Sequence, residues 1–186
     1  MGIELFKKKR FEQEMVIHLD TLYRFALSLC GVPADAEDLV QETMMKAYRS
    51  YDRFKTNTNA KAWLMTILRN TFLNTKRGTG RPGFFIWGEL ETFAGQSNTA
   101  RDAEARQDAN LAMEALNNLP EDFRTPIVLC DVEDFSYQEI ANVMNCPIGT
   151  VMSRLYRGRR MLRKALLQEH KVINFSKVKN KVHNEL

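Results

Sequence analysis

Phe135–Leu162 reads FSYQEIANVMNCPIGTVMSRLYRGRRML, and this stretch decides the fold. Ser136 and Glu139 have the spacing of a capping box, in which each side chain satisfies the other's exposed backbone N–H. Tyr137, Ile140, Ala141 and Met144 follow at i, i+3, i+4 and i+7, which makes one buried stripe on a short helix. Asn145-Cys146-Pro147 supplies a turn, and a second helix begins beyond it. At about 100° per residue, Ile148, Val151 and Leu155 fall on one side, while Thr150, Ser153, Arg154 and Arg157 centre on the other. Two short helices around a tight turn, the second rich in outward arginine, have the layout of a helix-turn-helix. Arginine pairs with guanine edges or phosphates, and hydroxyls add shorter contacts. Arg159, Arg160, Arg163 and Lys164 prolong the positive run toward phosphates.

A reader of duplex DNA needs far fewer than 186 residues, so the remainder calls for a second role. The net charge of +4 is unevenly spread. Residues 1–78 carry 13 Lys/Arg against 9 Asp/Glu, residues 79–134 carry 4 against 11, and residues 135–186 carry 10 against 3. Two basic ends around an acidic middle fit two polyanion-binding modules joined by a segment that stays off DNA. Cys30, Cys130 and Cys146 lie far apart without a CxxC, which fits buried thiols in a reducing compartment rather than disulfides or zinc. The apolar runs fall far short of the ~20 residues that span a bilayer. The amino end, MGIELFKKKRFEQEM, has a basic cluster without the apolar stretch of a signal peptide. A cytoplasmic protein without membrane insertion is the expectation.

Helical periodicity dominates the chain, and no stretch alternates as strands do. From Met15 to Cys30, Leu19, Leu22, Tyr23, Ala26 and Leu29 recur at helical spacing; Gly31 stops the helix and Val32-Pro33 opens the next. That helix, Ala34 to about Tyr51, is expected to bury Ala36, Val40, Thr43, Met44, Ala47 and Tyr51. After the polar loop Lys55–Asn59, a third helix runs from Ala60 to about Lys76 with Trp63, Leu64, Ile67, Leu68 and Phe72 as apolar members. Gly78-Thr79-Gly80-Arg81-Pro82-Gly83 breaks it. These residues spell GxGxxG, but they follow a helix rather than a strand, which excludes dinucleotide binding. The linker beyond carries an apolar patch, Phe84-Phe85-Ile86-Trp87, that either folds back on a helical unit or buries on a partner. The residues from Lys171 are basic and poorly patterned, which reads as a mobile tail. The fold class is all-α: two small helical domains joined by a flexible acidic linker, the second with the helix-turn-helix.

With these residues in place, the chain resembles the extracytoplasmic-function (ECF) class of bacterial sigma factors, from about Leu19 to Leu167. Ala36-Glu37-Asp38-Leu39-Val40-Gln41-Glu42-Thr43 and Trp63-Leu64-Met65-Thr66-Ile67-Leu68-Arg69-Asn70 are similar to the family's second region. Leu116-Asn117-Asn118-Leu119-Pro120-Glu121-Asp122-Phe123-Arg124 is similar to the entry of its fourth region, and Phe135–Leu162 to the part that reads the promoter −35 element. The resemblance implies a region 2 domain over 1–78, a linker over 79–104, a region 4 domain over 105–168 and a basic tail over 169–186. It assigns core RNA polymerase docking to Asp38, Gln41, Glu42 and Met45. To Lys61, Trp63, Arg69, Asn70, Asn74, Lys76 and Arg77 it assigns recognition and opening of the −10 element. To Thr150, Ser153, Arg154, Arg157 and Arg160 it assigns the −35 duplex. It also implies an anti-sigma factor partner and no cofactor, metal or bond chemistry. His18, His170 and His183 are isolated, and neither GxxxxGK[ST] nor HExxH occurs. Met152 departs from the basic residue usual in relatives, and Asn74 from an acidic one. The same helix-turn-helix alone would fit a stand-alone regulator on paired half-sites; the polar docking face and the acidic linker argue against that alternative.

Overall fold

The computed structural model describes residues 2–55, 58–79 and 111–183, with side chains over 5–55, 58–76 and 111–167. The acidic linker with its Phe84–Trp87 patch lies outside the described residues, as do the tail side chains. Among the described residues there are helices and turns and no strand. The helices are α1 (Gly2–Met15), α2 (Leu19–Cys30), α3 (Pro33–Ser50) and α4 (Ala60–Thr79). Helical residues 111–117 form α5, followed by α6 (Glu121–Ile127), α7 (Tyr137–Met144) and α8 (Ile148–His183). A π turn, Val128–Val132, stands between α6 and α7.

The chain forms two compact units whose membership does not follow chain order. One comprises Met1–Gly88 with Val128–Met152, the other Glu89–Ile127 with Ser153–Leu186. In the first, α3 packs against α2 and α4, and α7 packs against α4. Leu22, Phe25, Ala26 and Leu29 of α2 are buried at i, i+3, i+4 and i+7. Gly31 ends this helix with a φ of 76°, a left-handed conformation that suits glycine, and its N–H donates to the Leu27 carbonyl at 2.8 Å. Val32 is extended and Pro33 opens α3, as the sequence led one to expect. The buried line of α3 is Ala36, Leu39, Thr43 and Ala47; Val40 and Met44, expected inside, are only half-buried.

Two findings go beyond the sequence reading, at the two ends of the chain. The segment before Met15 is helical: α1 buries Phe11 and Met15, with Phe11 edge-on to Tyr48 at 5.2 Å and to Tyr51 at 5.3 Å. The Tyr51 hydroxyl donates to Glu14 at 2.8 Å, and burial followed by that carboxylate pushes its pKa up to about 12. The helix α4 ends at Thr79, within the Gly78–Gly83 stretch expected to break it, and the rest of that stretch lies outside the described residues. The basic tail, read from the sequence as poorly patterned, is helical through His183 as the end of α8.

The second unit buries Ala115, Leu116, Leu119 and Ile127, and the Arg124 guanidinium donates to the Asn117 carbonyl at 2.9 Å. Here α8 meets α6 at Gly158: a Cβ added there would stand 2.8 Å from Ile127 Cδ1 and 3.2 Å from Phe123 Cβ. Only glycine permits so close a crossing.

Candidate nucleic-acid interface

Local chemistry builds the helix-turn-helix as expected. The Glu139 N–H donates to Ser136 Oγ at 3.3 Å, and the Ser136 N–H donates to Glu139 Oε2 at 2.9 Å. The Ser136 hydroxyl also donates to Glu139 Oε2 at 2.7 Å, and that bond first, with the Ser136 N–H second, holds the Glu139 carboxyl below its ordinary pKa of 4.5. Asn145 closes α7 with a φ of 49°, in the left-handed region that Asn tolerates. The Cys146 N–H then donates to the Ala141 carbonyl at 3.1 Å. Ile140, Ala141, Val143 and Met144 are buried on α7, and Val151 and Leu155 on α8.

The outward face of α8 differs from the expected one. The buried line is Val151, Leu155 and Gly158, whereas Ile148, expected inside, is 40% exposed. Opposite that line, at 3.6 residues per turn, lie Gly149, Ser153, Tyr156 and Arg160, all exposed, with exposed Arg157 on one flank. Thr150 and Arg154 sit closer to the buried side and are half-buried. Arg154 forms a salt bridge to Asp122 at 2.8 Å, so its guanidinium is already engaged within its own unit. Of the five −35 candidates, Ser153, Arg157 and Arg160 share the exposed sector, and Thr150 and Arg154 stand at its edge. Sequence reasoning passed over Tyr156, which is 70% exposed. A wheel anchored on the buried residues alone, without Ile148, would have found it.

The −10 candidates on α4 are presented quite differently. Asn70 and Asn74 are exposed. Arg69 is only 7% exposed, because it falls on the buried stripe of Met65, Leu68 and Phe72; it is not the outward cation the sequence led one to expect. Trp63 is half-buried with its ring 4.9 Å from that of Phe54. The Lys76 ammonium lies 4.4 Å from the centroid of the Phe72 ring, and the Arg77 side chain lies outside the described residues.

Lys61 belongs to a charge cluster that the sequence did not reveal. After the π turn, the Glu133 N–H donates back to the Val128 carbonyl at 3.1 Å, and Asp134 takes a left-handed φ of 56°. This kink carries the Glu133 carboxylate inside, 2% exposed, onto Arg24 at 3.0 Å and Lys61 at 3.3 Å. Lys61 also donates to the Glu133 carbonyl at 2.7 Å and lies 4.7 Å from the Phe135 ring centroid. The Asn59 amide donates to Glu139 beside it. The bond to Glu133 holds the Arg24 guanidinium above its usual pKa. His18, near Lys61, is held below its ordinary 6.5, first by burial and then by that ammonium.

On α3 the four docking candidates share an exposed face: Asp38, Gln41, Glu42 and Met45, the last 56% exposed. Glu42 also pairs with Lys46 one turn on, at 2.6 Å. Among the described residues, no group of three or more His, Cys, Asp or Glu could hold a metal ion, and no helix is long and apolar enough to cross a membrane.

Comparison with known proteins matches residues 16–81 to Sigma-70 region 2 and residues 109–162 to Sigma-70 region 4. The ECF RNA polymerase sigma factor SigE of Mycolicibacterium smegmatis is 39% identical over 152 residues, 78% of this chain and 57% of that one. The chain thus matches little more than half the length of that relative. The ECF RNA polymerase sigma factor EcfG of Rhodopseudomonas palustris is 35% identical over 153 residues, 80% of this chain and 81% of the other. Among solved structures, the sigma factor RpoE in complex with the anti-sigma factor NepR from Bartonella quintana is similar with a TM-score of 0.71. That match is 38% identical and covers 85% of this chain and 97% of that chain. CnrH in complex with the cytosolic domain of CnrY is similar with a TM-score of 0.60 at 26% identity, covering 87% of this chain and 90% of the other.

Proposed function

Because the chain belongs to the ECF group of RNA polymerase sigma factors in the sigma-70 family, we propose that it directs core RNA polymerase to a specific set of promoters. The observation that carries this reading is the pairing of regions 2 and 4 in one chain, in that order, each with an exposed polar or basic face. Residues 1–78 form the module that docks on polymerase through Asp38, Gln41, Glu42 and Met45 and opens the −10 element. Residues 105–168 form the module that reads the −35 duplex, with 79–104 as linker and 169–186 as tail. In the −10 module, Asn70 and Asn74 stand ready to hydrogen-bond unpaired bases. Lys61 and Lys76 reach phosphates once released from the contacts they make in this structure. Opening the strands costs a few kcal/mol of stacking and pairing per base, and the single-stranded contacts offset it. That is differential binding, with no bond made or broken, and the protein is not an enzyme.

The similarity to RpoE, solved with the anti-sigma factor NepR, and to CnrH, solved with the cytosolic domain of CnrY, supports control of this chain by an anti-sigma factor in the cytoplasm. Run-off transcription with core polymerase and the purified chain on a promoter library tests the reading. Promoter-specific transcripts that require the chain are expected. If none appear, and the chain alone binds a palindromic duplex, it is a stand-alone regulator instead.

A further inference from the structure

The first two turns of α8 are nearly without presented charge. From Ile148 to Leu155 the one cation is Arg154, and it is held by Asp122 at 2.8 Å. Along one flank those turns and the next present apolar side chains. Ile148, Met152 and Tyr156 follow at i, i+4 and i+8 and are 40%, 50% and 70% exposed. Between them Gly149 is open, with nothing within 4 Å of an added Cβ, so a groove edge can come close to the helix backbone. Single exposed apolar residues are ordinary. Three in register along one helix are not, particularly where the exposed Arg159 and Arg163 continue the same line.

The occupant follows from that continuity. A surface prolonged by Arg159 and Arg163, with Arg160 beside it, attracts the phosphate backbone, and duplex DNA offers one apolar feature in its major groove, the 5-methyl group of thymine. We propose that the Ile148–Met152–Tyr156 strip reads thymine methyl groups in the −35 duplex, with Met152 as the principal specificity-determining residue. The arginines beyond it hold phosphates and set the register. This deepens the −35 reading given above and rests on it.

Replacing thymine by uracil removes the 5-methyl group and nothing else, which makes it the direct probe. Holoenzyme assembled from core polymerase and the full chain is titrated with a promoter taken from the run-off library. In parallel, each −35 thymine is exchanged for uracil. At one or two positions the exchange weakens binding about fourfold, the loss of one buried methyl. Met152→Ser removes that sensitivity at one position, and Tyr156→Ser removes it at a neighbour; both residues are exposed, so the fold tolerates the changes. Full tolerance of uracil overturns the proposal, as does a sensitivity that persists in both variants. Loss of holoenzyme assembly in Met152→Ser would assign the strip to polymerase and also overturn it. If scrambling the whole −35 element leaves binding unchanged, the −35 reading itself has failed. If scrambling matters and uracil does not, only the methyl-reading proposal falls.

Discussion

The helices α4 and α8 are both rich in cations, and they use them in opposite ways. On α4, Lys61 is tied to buried Glu133, Arg69 lies on the buried stripe and Lys76 covers a phenylalanine ring. On α8, Arg157, Arg160, Arg163 and Lys164 are exposed, and Arg154 is held by an ion pair. The difference lies in what packs around each helix. Within the first unit α4 meets α2, α3 and α7, so few of its faces are left for solvent. Over 148–164, α8 has one narrow buried line. Counting Lys and Arg along a sequence therefore measures the charge available; packing decides how much of it is presented.

The sharpest test of that contrast is the Glu133 cluster, where the buried partner is the acid. Replacing both Arg24 and Lys61 by Met strands a carboxylate that is 2% exposed, and should cost about 3–5 kcal/mol of stability. Glu133→Gln removes the buried charge, while Arg24, with 55% of its side chain exposed, can turn to water. That change should cost only about 1–3 kcal/mol. Urea unfolding followed by circular dichroism measures both. Equal losses would mean that the cluster is not organised around Glu133.

The next test sets two glycines of α8 against each other. Gly158→Ala drives a methyl against Ile127 and Phe123, forcing α6 and α8 apart, for a loss of about 1–3 kcal/mol. Gly149→Ala meets nothing and should gain up to about 1 kcal/mol from helix propensity. Thermal unfolding of the two variants should shift in opposite directions. A like shift would show that the narrow buried line of α8 is misplaced.

Presentation also separates two arginines that sequence spacing treats alike. Arg157→Ala should weaken binding of a −35 duplex by holoenzyme by about 1–3 kcal/mol if it touches a base edge. Arg154→Ala should weaken it less, because Asp122 already engages that side chain, and should cost at most about 1 kcal/mol of fold stability. Competition binding on one promoter compares them. A larger binding loss for Arg154 would restore the outward face read from the sequence.

What the sequence made legible was the local part. The capping box at Ser136 and Glu139, the turn at Asn145–Pro147 and the Gly31–Pro33 boundary each depend on neighbouring residues, and each is present in the structure. The motifs of regions 2 and 4 identified the family for the same reason. The π turn at Val128–Val132 was not legible, because a single i→i−5 turn leaves no trace in a helical period. Glu133, between Asp131 and Asp134, entered the sequence reading only in the charge count of the acidic middle; the kink after that turn sends it inside. Tyr156 was missed because Ile148 was used to orient the helix. Ile148 opens α8, where the first turn need not share the packing of the later ones. The resemblance gave Arg69 to the −10 element by its place in the motif, yet its position i+4 from Met65 places it on the buried stripe.

The smallest expected effect tests how far the buried side of α4 reaches. His18 is held below its ordinary pKa of 6.5 by burial first and the Lys61 ammonium second. As the pH falls below 6.5, the unfolded chain takes up this proton before the folded one does, so the folded state loses stability. Above 6.5 both states are neutral and the contribution is fully present. Glu139, held below 4.5, begins to act only at lower pH, which leaves the window between the two values to histidine. Comparing each variant with the parent chain cancels the share of His170 and His183. His18→Gln should flatten the decline across that window. Lys61→Met should reduce it without abolishing it, since burial is the larger cause. A decline unchanged in His18→Gln would mean that His18 is neither buried nor close to the charged end of α4.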